Sequence, residues 1–269
     1  MKNIIEIKNL NFKYDSSIIF NDFNMEIKEG SFTCIAGNNT SGKTTIIKLI
    51  SGEISVPNTI TIGYSYLNTS RLYDHSTYMG VMFGDRLNSF LFDDVYKEMA
   101  FPLENLNINP KEIENRIIEI AKFFNINYLL DKKTVDLTNS EKQIILIAIA
   151  LLHKPKILLL DNPFSMMNIA TKNRVKDRLK QYKEKNSITI VLTTVNLEDV
   201  VDADYLYIIN KGNVVVEGKP LAVMENDTLI KKLGLSLPFM VDLSLKLKFY
   251  ELVDNIELDM DRMVNTLWK

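Results

Sequence analysis

The chain opens in alternation. "IIEIKNLNFKY" and "FNMEIKEGSFTCIAG" switch between apolar and polar residues with period two, which predicts short strands with a turn at Glu29-Gly30. From Thr45 the period lengthens, and "TIIKLISGEI" reads as a helix ending near Gly52. "TIGYSYLN" and "YMGVMFG" predict two further strands. Residues 93–130 are helix-rich. "DDVYKEMAF" places acids in a first turn, and Pro110 stands ahead of "KEIENRIIEIAKFFN". In that segment Ile113, Ile117, Ile120 and Phe124 form one core-facing stripe. "SEKQIILIAIALLHK" is nearly all apolar after its first turn and predicts a buried helix. There follow the strand "ILLLD", the polar helix "ATKNRVKDRLKQYKEK" and the fully apolar strand "ITIVLT". "YLYIINKGNVVVEG" reads as a hairpin around Lys211-Gly212, and beyond Pro220 the chain is mostly helical.

Continuously apolar strands alternating with helices indicate an α/β fold with a mostly parallel sheet covered on both faces. An antiparallel β part would precede it. The expected organisation is a main domain over residues 1–218, with a helical subdomain at about 86–150, and a small helical extension over 219–269. At 269 residues the chain is long enough for one large domain with an appendage. Net charge is −2, with no basic cluster, which gives nucleic acid no footprint to bind. One cysteine, Cys34, excludes internal disulfides and suits a reducing compartment. The longest central apolar run, Ile144 to Leu152, is half of what a bilayer span requires, so membrane association is expected through partners.

The chemistry begins at "GNNTSGKTT", a G-x-x-x-x-G-K-[ST] match between a predicted strand and a predicted helix. Gly37 and Gly42 let the backbone of Asn38, Asn39, Thr40 and Ser41 wrap closely. Consecutive N–H groups up to Thr45 then face phosphate oxygens. Lys43 would reach the β/γ-phosphates, and the Thr44 hydroxyl would ligate Mg²⁺. Asp161, at the tip of the apolar strand "ILLLD", is either the acidic partner for Mg²⁺ or a helix cap. The amide that follows it, Asn162, cannot accept a proton.

The order of the remaining motifs resembles the ABC transporter ATPases. "LTNSEKQ" stands where that family has its signature "LSGGQ", and Leu137 precedes Asp161 by 24 residues. "FKY" matches the family's adenine-stacking segment, with Tyr14 as the aromatic, although a half-buried strand tyrosine would look the same. "VMFGDRLNSFLFDDVYKEMAFPLEN" and the tail "LGLSLPFMVDLSLKL" are similar to the A subunits of energy-coupling factor (ECF) transporters, which import vitamins and metal ions. The resemblance implies a P-loop NTPase fold and a cofactor pair of ATP and Mg²⁺. It also implies a second ABC ATPase subunit, in a heterodimer. Further partners would be a transmembrane coupling subunit and a substrate-binding membrane subunit, with the chain held at the cytoplasmic face of the membrane.

Matched position by position, this chain departs from the family. Gly84 stands for the Q-loop glutamine, Asn162 for the water-polarising glutamate, Val195 for the switch histidine and Asn168 for the D-loop acid. Thr40 replaces a common glycine of the cradle. In the signature, which the family presents to its partner's ATP, Thr138 keeps a hydroxyl. Asn139 and Ser140 replace the glycines there, and Glu141 the glutamine. Asn139 would suit a left-handed glycine conformation, while Glu141 would set negative charge near a polyanion. The expectation is a subunit that binds MgATP and hydrolyses it poorly, because loss of a general base typically costs about 10²–10⁴ in rate. Two alternatives stand beside it: an active ATPase with Glu198 or Asp199 substituting, and a nucleotide-independent scaffold. Phe90, Leu91 and Phe92 would line the groove for the membrane partner, or belong to ordinary core.

Overall fold

A computed structural model describes residues 2–57, 59–63, 65–66 and 77–268. Its strands are β1 (Asn3–Tyr14), β2 (Ser17–Lys28), β3 (Phe32–Ala36), β4 (Ile60–Ile62), β5 (Ser65–Tyr66), β6 (Met79–Phe83), β7 (Ile157–Asp161), β8 (Thr189–Thr194), β9 (Tyr205–Asn210) and β10 (Asn213–Gly218). Helices α1 (Lys43–Ile50), α2 (Val95–Asn105), α3 (Pro110–Phe124), α4 (Asn139–Leu151) and α5 (Ile169–Asn186) intervene. Helices α6 (Pro220–Met224), α7 (Asp227–Lys232), α8 (Phe239–Phe249) and α9 (Met260–Leu267) follow. The chain divides into two compact units. One comprises Met1–Lys8, Met25–Ser31 and Thr44–Thr193, and the other Asn9–Asn24, Phe32–Lys43 and Thr194–Lys269.

In the first unit β6, β7 and β8 run parallel, with Phe83, Asp161 and Thr193 in register at their C-terminal ends. Every residue of β7 is buried, as a strand covered on both faces requires. Gly80 admits α4 against β6: a Cβ there would lie 1.9 Å from the Ala150 carbonyl. β1 pairs antiparallel with β4, Ile5 opposite Ile62 and Ile7 opposite Ile60, all four buried. The segment expected as one strand from Thr61 is instead a hairpin. Gly63, at φ 63°, begins the turn from β4 to β5, and residues 64, 67 and 68 of that expectation lie outside the described residues.

The helices of this unit carry their own start signals. Asn109 caps α3 by accepting from the Glu112 N–H, Pro110 occupies its first turn, and Asn125 closes it at φ 57°. Its stripe of Ile113, Ile117, Ile120 and Phe124 is buried. Helix α1 starts at Lys43, two residues earlier than its apolar pattern indicates, because the turn at Gly42 (φ 108°) leads directly into it.

In the second unit β3 pairs parallel with β9, and β9 antiparallel with β10. Lys211 and Gly212 both have positive φ, the type I′ geometry that matches strand twist in two-residue hairpins. Gly212 has a further reason: a Cβ there would fall 1.7 Å from the Ile19 carbonyl. Phe20, Phe32, Cys34, Leu206, Ile208, Met224, Ile230 and Val241 are buried in this unit.

Candidate nucleotide site

The loop of Gly37 to Lys43 belongs to the second unit and is shaped by its two glycines. A Cβ on Gly37 would lie 2.3 Å from the Ile209 carbonyl and 2.8 Å from Ser41 Oγ; one on Gly42 would meet the Phe20 ring at 2.9 Å. Neither position has room for a side chain. Ser41 is buried, and its carbonyl accepts from the Gly212 N–H at 3.1 Å. The Lys43 ammonium, also buried, donates to the carbonyls of Gly37 (2.7 Å) and Asn38 (2.8 Å), with Ser41 Oγ at 3.4 Å. The lysine thus gathers the loop around its own charge. Asn38, Asn39 and Thr40 lie exposed. Thr40 sits at φ 64°, and its hydroxyl donates to the Asn39 carbonyl at 2.6 Å. The glycine it replaces would adopt that φ without strain.

In the first unit Thr44 Oγ1 donates to Asp161 Oδ2 at 2.8 Å, and Thr193 Oγ1 donates to Asp161 Oδ1. Asp161 is 4% exposed and Thr45 is buried beside the start of α1. Parallel strands β7 and β8 end together, so Asp161 and Thr193 meet at their C-terminal edge, where open α/β sheets bind ligands. Sequence reasoning passed over Thr193; the signal was the doubled hydroxyl of "VLTT". A hydroxyl and a single carboxylate are oxygen donors of the kind Mg²⁺ takes when phosphates and water complete its shell. No group of three or more His, Cys, Asp or Glu able to hold a metal occurs among the described residues.

Three of the four departing positions have a local structural part. Gly84 follows β6 and donates its N–H to the Asp161 carbonyl at 2.9 Å; a Cβ would lie 2.7 Å from that oxygen and 2.9 Å from the Asn162 carbonyl. Asn162 is left-handed at φ 49°, with its N–H on Thr193 O (3.0 Å) and Thr193 Oγ1 (3.1 Å). Asn tolerates that backbone better than most residues. Val195, after β8, is 40% exposed. Asn168 caps α5, accepting from the Thr171 N–H at 2.9 Å.

In the signature, Thr138 caps α4 and Asn139 is already helical, so the left-handed conformation expected for Asn139 is not adopted: the helix begins there. Ser140 follows, half-buried, in the same first turn. Glu141 completes a capping box. It accepts from the Thr138 N–H (2.8 Å) and hydroxyl (2.9 Å) and pairs with Lys132 at 3.2 Å. Burial works to raise its pKa, but the Thr138 hydrogen bonds and Lys132 outweigh it and hold the carboxyl below its ordinary value. The charge expected to face a polyanion is therefore engaged within the chain.

Tyr14, 42% exposed, stands edge-on to Phe12 at 4.8 Å between ring centroids. Leu91 is 68% exposed, while Phe90 and Phe92 are half-buried and Phe92 packs on Phe101 at 5.3 Å. The buried carboxylate of Glu98 accepts from the N–H groups of both Leu91 and Phe92, fixing this apolar loop. A second residue that sequence reasoning missed is Gln143, fully buried in α4. Its amide donates to Ser165 Oγ (2.9 Å) and accepts from the Met166 N–H (3.0 Å), which positions the loop after β7. Its signal was a lone amide in an apolar helix. Glu198 accepts from the Phe239 N–H at 2.8 Å, and Asp199, buried, accepts from Thr194 Oγ1 at 2.7 Å.

A family model described as "ABC transporter" matches residues 20–165, from β2 through the Asp161 strand end. The chain belongs to the ABC transporter family. It is 32% identical to the "Energy-coupling factor transporter ATP-binding protein EcfA1" of Clostridium novyi (strain NT), over 99% of this chain and 98% of that protein. It is 30% identical to the "Energy-coupling factor transporter ATP-binding protein EcfA" of Malacoplasma penetrans (strain HF-2), over 98% and 93%. Among solved structures it is similar to cbiO1 from Clostridium perfringens, described as part of the ABC transporter complex cbiONQ. There the TM-score is 0.77 at 26% identity, covering 90% of this chain and 99% of that one. The resemblance to ECF transporter A subunits therefore spans the whole chain, tail included. No helix among the described residues is long and apolar enough to cross a membrane.

Proposed function

We propose that the chain is the ATP-binding subunit of an ECF-type ABC transporter that takes up a small molecule such as a vitamin or metal ion. In this reading it binds MgATP, hydrolyses it slowly, and serves as the degenerate half of a nucleotide-binding heterodimer at the cytoplasmic face of the membrane. The observation that carries it is a contrast. Lys43 lies in its glycine-bounded loop and Thr44 bonds Asp161, at the positions where the family binds MgATP, whereas positions 84, 162 and 195 offer no group that can accept a proton.

The loop N–H groups and Lys43 would hold the phosphates, Thr44 and Asp161 the Mg²⁺, and Tyr14 the adenine. Bound ATP and Mg²⁺ supply the γ-phosphoryl group and its charge neutralisation. Thr138, Asn139 and Ser140 would face the partner subunit's ATP, with Glu141 turned back to cap their helix. Of Phe90, Leu91 and Phe92, Leu91 is the most exposed and would receive the transmembrane coupling subunit; a substrate-binding membrane subunit would choose the cargo.

An active ATPase with a relocated base gains no support from Glu198 or Asp199, whose carboxylates accept from Phe239 and Thr194. The test is a MgATP titration and a turnover assay on the purified chain, with Lys43→Ala beside it. Expected are saturable binding, a rise in melting temperature that Lys43→Ala abolishes, and turnover far below an ordinary ABC rate. Ordinary turnover lost in Lys43→Ala would refute slow hydrolysis. Absence of saturable binding would leave the scaffold reading in its place.

A further inference from the structure

The C-terminal helical segment reaches the phosphate loop and the loop after β8 by two hydrogen bonds, both within the second unit. The Asn38 carboxamide donates to the carbonyl of Leu233, the residue that ends α7. Carbonyls at a helix C-terminus lack intrahelical partners, so this amide satisfies one of them. Gly234, at φ 70°, makes the approach possible: a Cβ there would already lie 3.0 Å from Asn38 Nδ2. The second bond comes from α8. Its N-cap residue is Pro238, which supplies no capping side chain, and the orphan N–H of Phe239 is taken instead by Glu198 Oε1 at 2.8 Å. Glu198 lies three residues past Val195 and is itself seated by its N–H on Asn196 Oδ1 at 3.0 Å.

Asn38 faces both ways. Its side chain holds Leu233, and its backbone carbonyl holds the Lys43 ammonium at 2.8 Å. The α7–α8 turn thus fixes the peptide against which the phosphate-binding lysine rests, and it fixes the loop that follows the switch position. We propose that this segment braces the nucleotide site, with Asn38 and Glu198 as positioning residues, so that docking of Leu233–Phe239 and binding of MgATP stabilise each other. The inference rests on the MgATP-binding reading above. A loop whose backbone is already held in place loses less freedom when phosphate arrives, and linkage makes the benefit reciprocal: whatever the brace adds to MgATP affinity, MgATP adds to the brace.

The experiment uses the full chain. Calorimetric MgATP titration is paired with amide hydrogen exchange over residues 226–241, for the wild type, Glu198→Ala, Glu198→Gln and Asn38→Ala. Glutamine keeps the acceptor oxygen and removes only the charge. Expected are slower wild-type exchange at Gly234 and Phe239 with saturating MgATP, and a three- to tenfold (about one hydrogen bond's worth) loss of MgATP affinity in Glu198→Ala and Asn38→Ala. Glu198→Gln should recover both readouts. Faster exchange in Glu198→Ala with unchanged MgATP affinity would reduce Glu198 to a local helix cap and overturn the proposal. So would wild-type exchange indifferent to saturating MgATP. No saturable MgATP binding by the wild type would instead overturn the proposed function, and the brace with it.

Discussion

Gly84→Ala tests whether the Q-loop position is closed to any side chain. Gly84 donates to the Asp161 carbonyl at 2.9 Å, and its missing Cβ would lie 2.7 Å from that oxygen and 2.9 Å from the Asn162 carbonyl. Both neighbours are backbone atoms at the end of a buried strand, so neither can rotate aside as a side-chain tip would. Overpacking of this kind costs about 1–3 kcal/mol. For a chain of this size that lowers the melting temperature by roughly 2–12 °C. Gly84→Gln, the change that restores the family residue, should cost at least as much, because the conflict arises at Cβ. Calorimetric melting of both variants in nucleotide-free buffer measures it. Two variants as stable as the wild type would refute the close approach, and with it the view that glycine at 84 is sterically required.

Thr40→Gly should stabilise the chain by about 0.5–1 kcal/mol in urea unfolding, since a left-handed β-branched residue costs about 1–2 kcal/mol and glycine's greater freedom returns part of that; a loss of stability would contradict the φ of 64° at Thr40. Glu141→Ala removes half of the α4 capping box and the Lys132 pair, and should lower the urea midpoint by an amount equivalent to about 1 kcal/mol without changing the slope. His153 has its pKa lowered by burial, helped by Arg116 and opposed by its hydrogen bond to the Met79 carbonyl. The unfolded chain therefore takes up the proton first, and stability falls as pH drops below about 6.5. His153→Gln should flatten stability between about pH 6.5 and 5, and an unaltered slope would show that the imidazole does not titrate differently on folding.

The sequence reading succeeded where a single physical cause dominates. Period-3.6 burial alone marks Ile113, Ile117, Ile120 and Phe124, and full burial alone explains "ILLLD". It failed where two elements meet. The hairpin at Gly63 looks like one strand because the lone glycine that turns it stands inside an otherwise strand-like run. Thr193 and Gln143 acquire meaning only through long-range partners, Asp161 and Ser165–Met166, that no local pattern announces. Glu141 was legible as a charge but not as the second half of a cap, although "TNSE" carries the spacing of a capping box.

The departures from the family motif change meaning once their surroundings are known. Asn168 caps α5, Glu141 caps α4, Asn162 occupies a left-handed backbone that suits an amide, and Gly84 fills a space with no room for Cβ. Each of these four residues has a local structural part in place of the expected chemistry, whereas Val195 is 40% exposed and Thr40 sits in a backbone that would suit glycine better. A chain that had merely stopped using these positions would leave side chains there that fit indifferently. Here the end of β6 approaches β7 through a glycine, and the backbone after β7 turns left-handed at Asn162. Glutamate at 162 would meet a backbone cost of about 1–2 kcal/mol, and glutamine at 84 a steric one. Exchanging side chains at 84 and 162 would therefore strain the strand ends that hold Asp161. Restoring the family's side chains at 84 and 162 and keeping Asp161 in its place thus compete for the same backbone, which is how the proposed slow hydrolysis would be built into the fold.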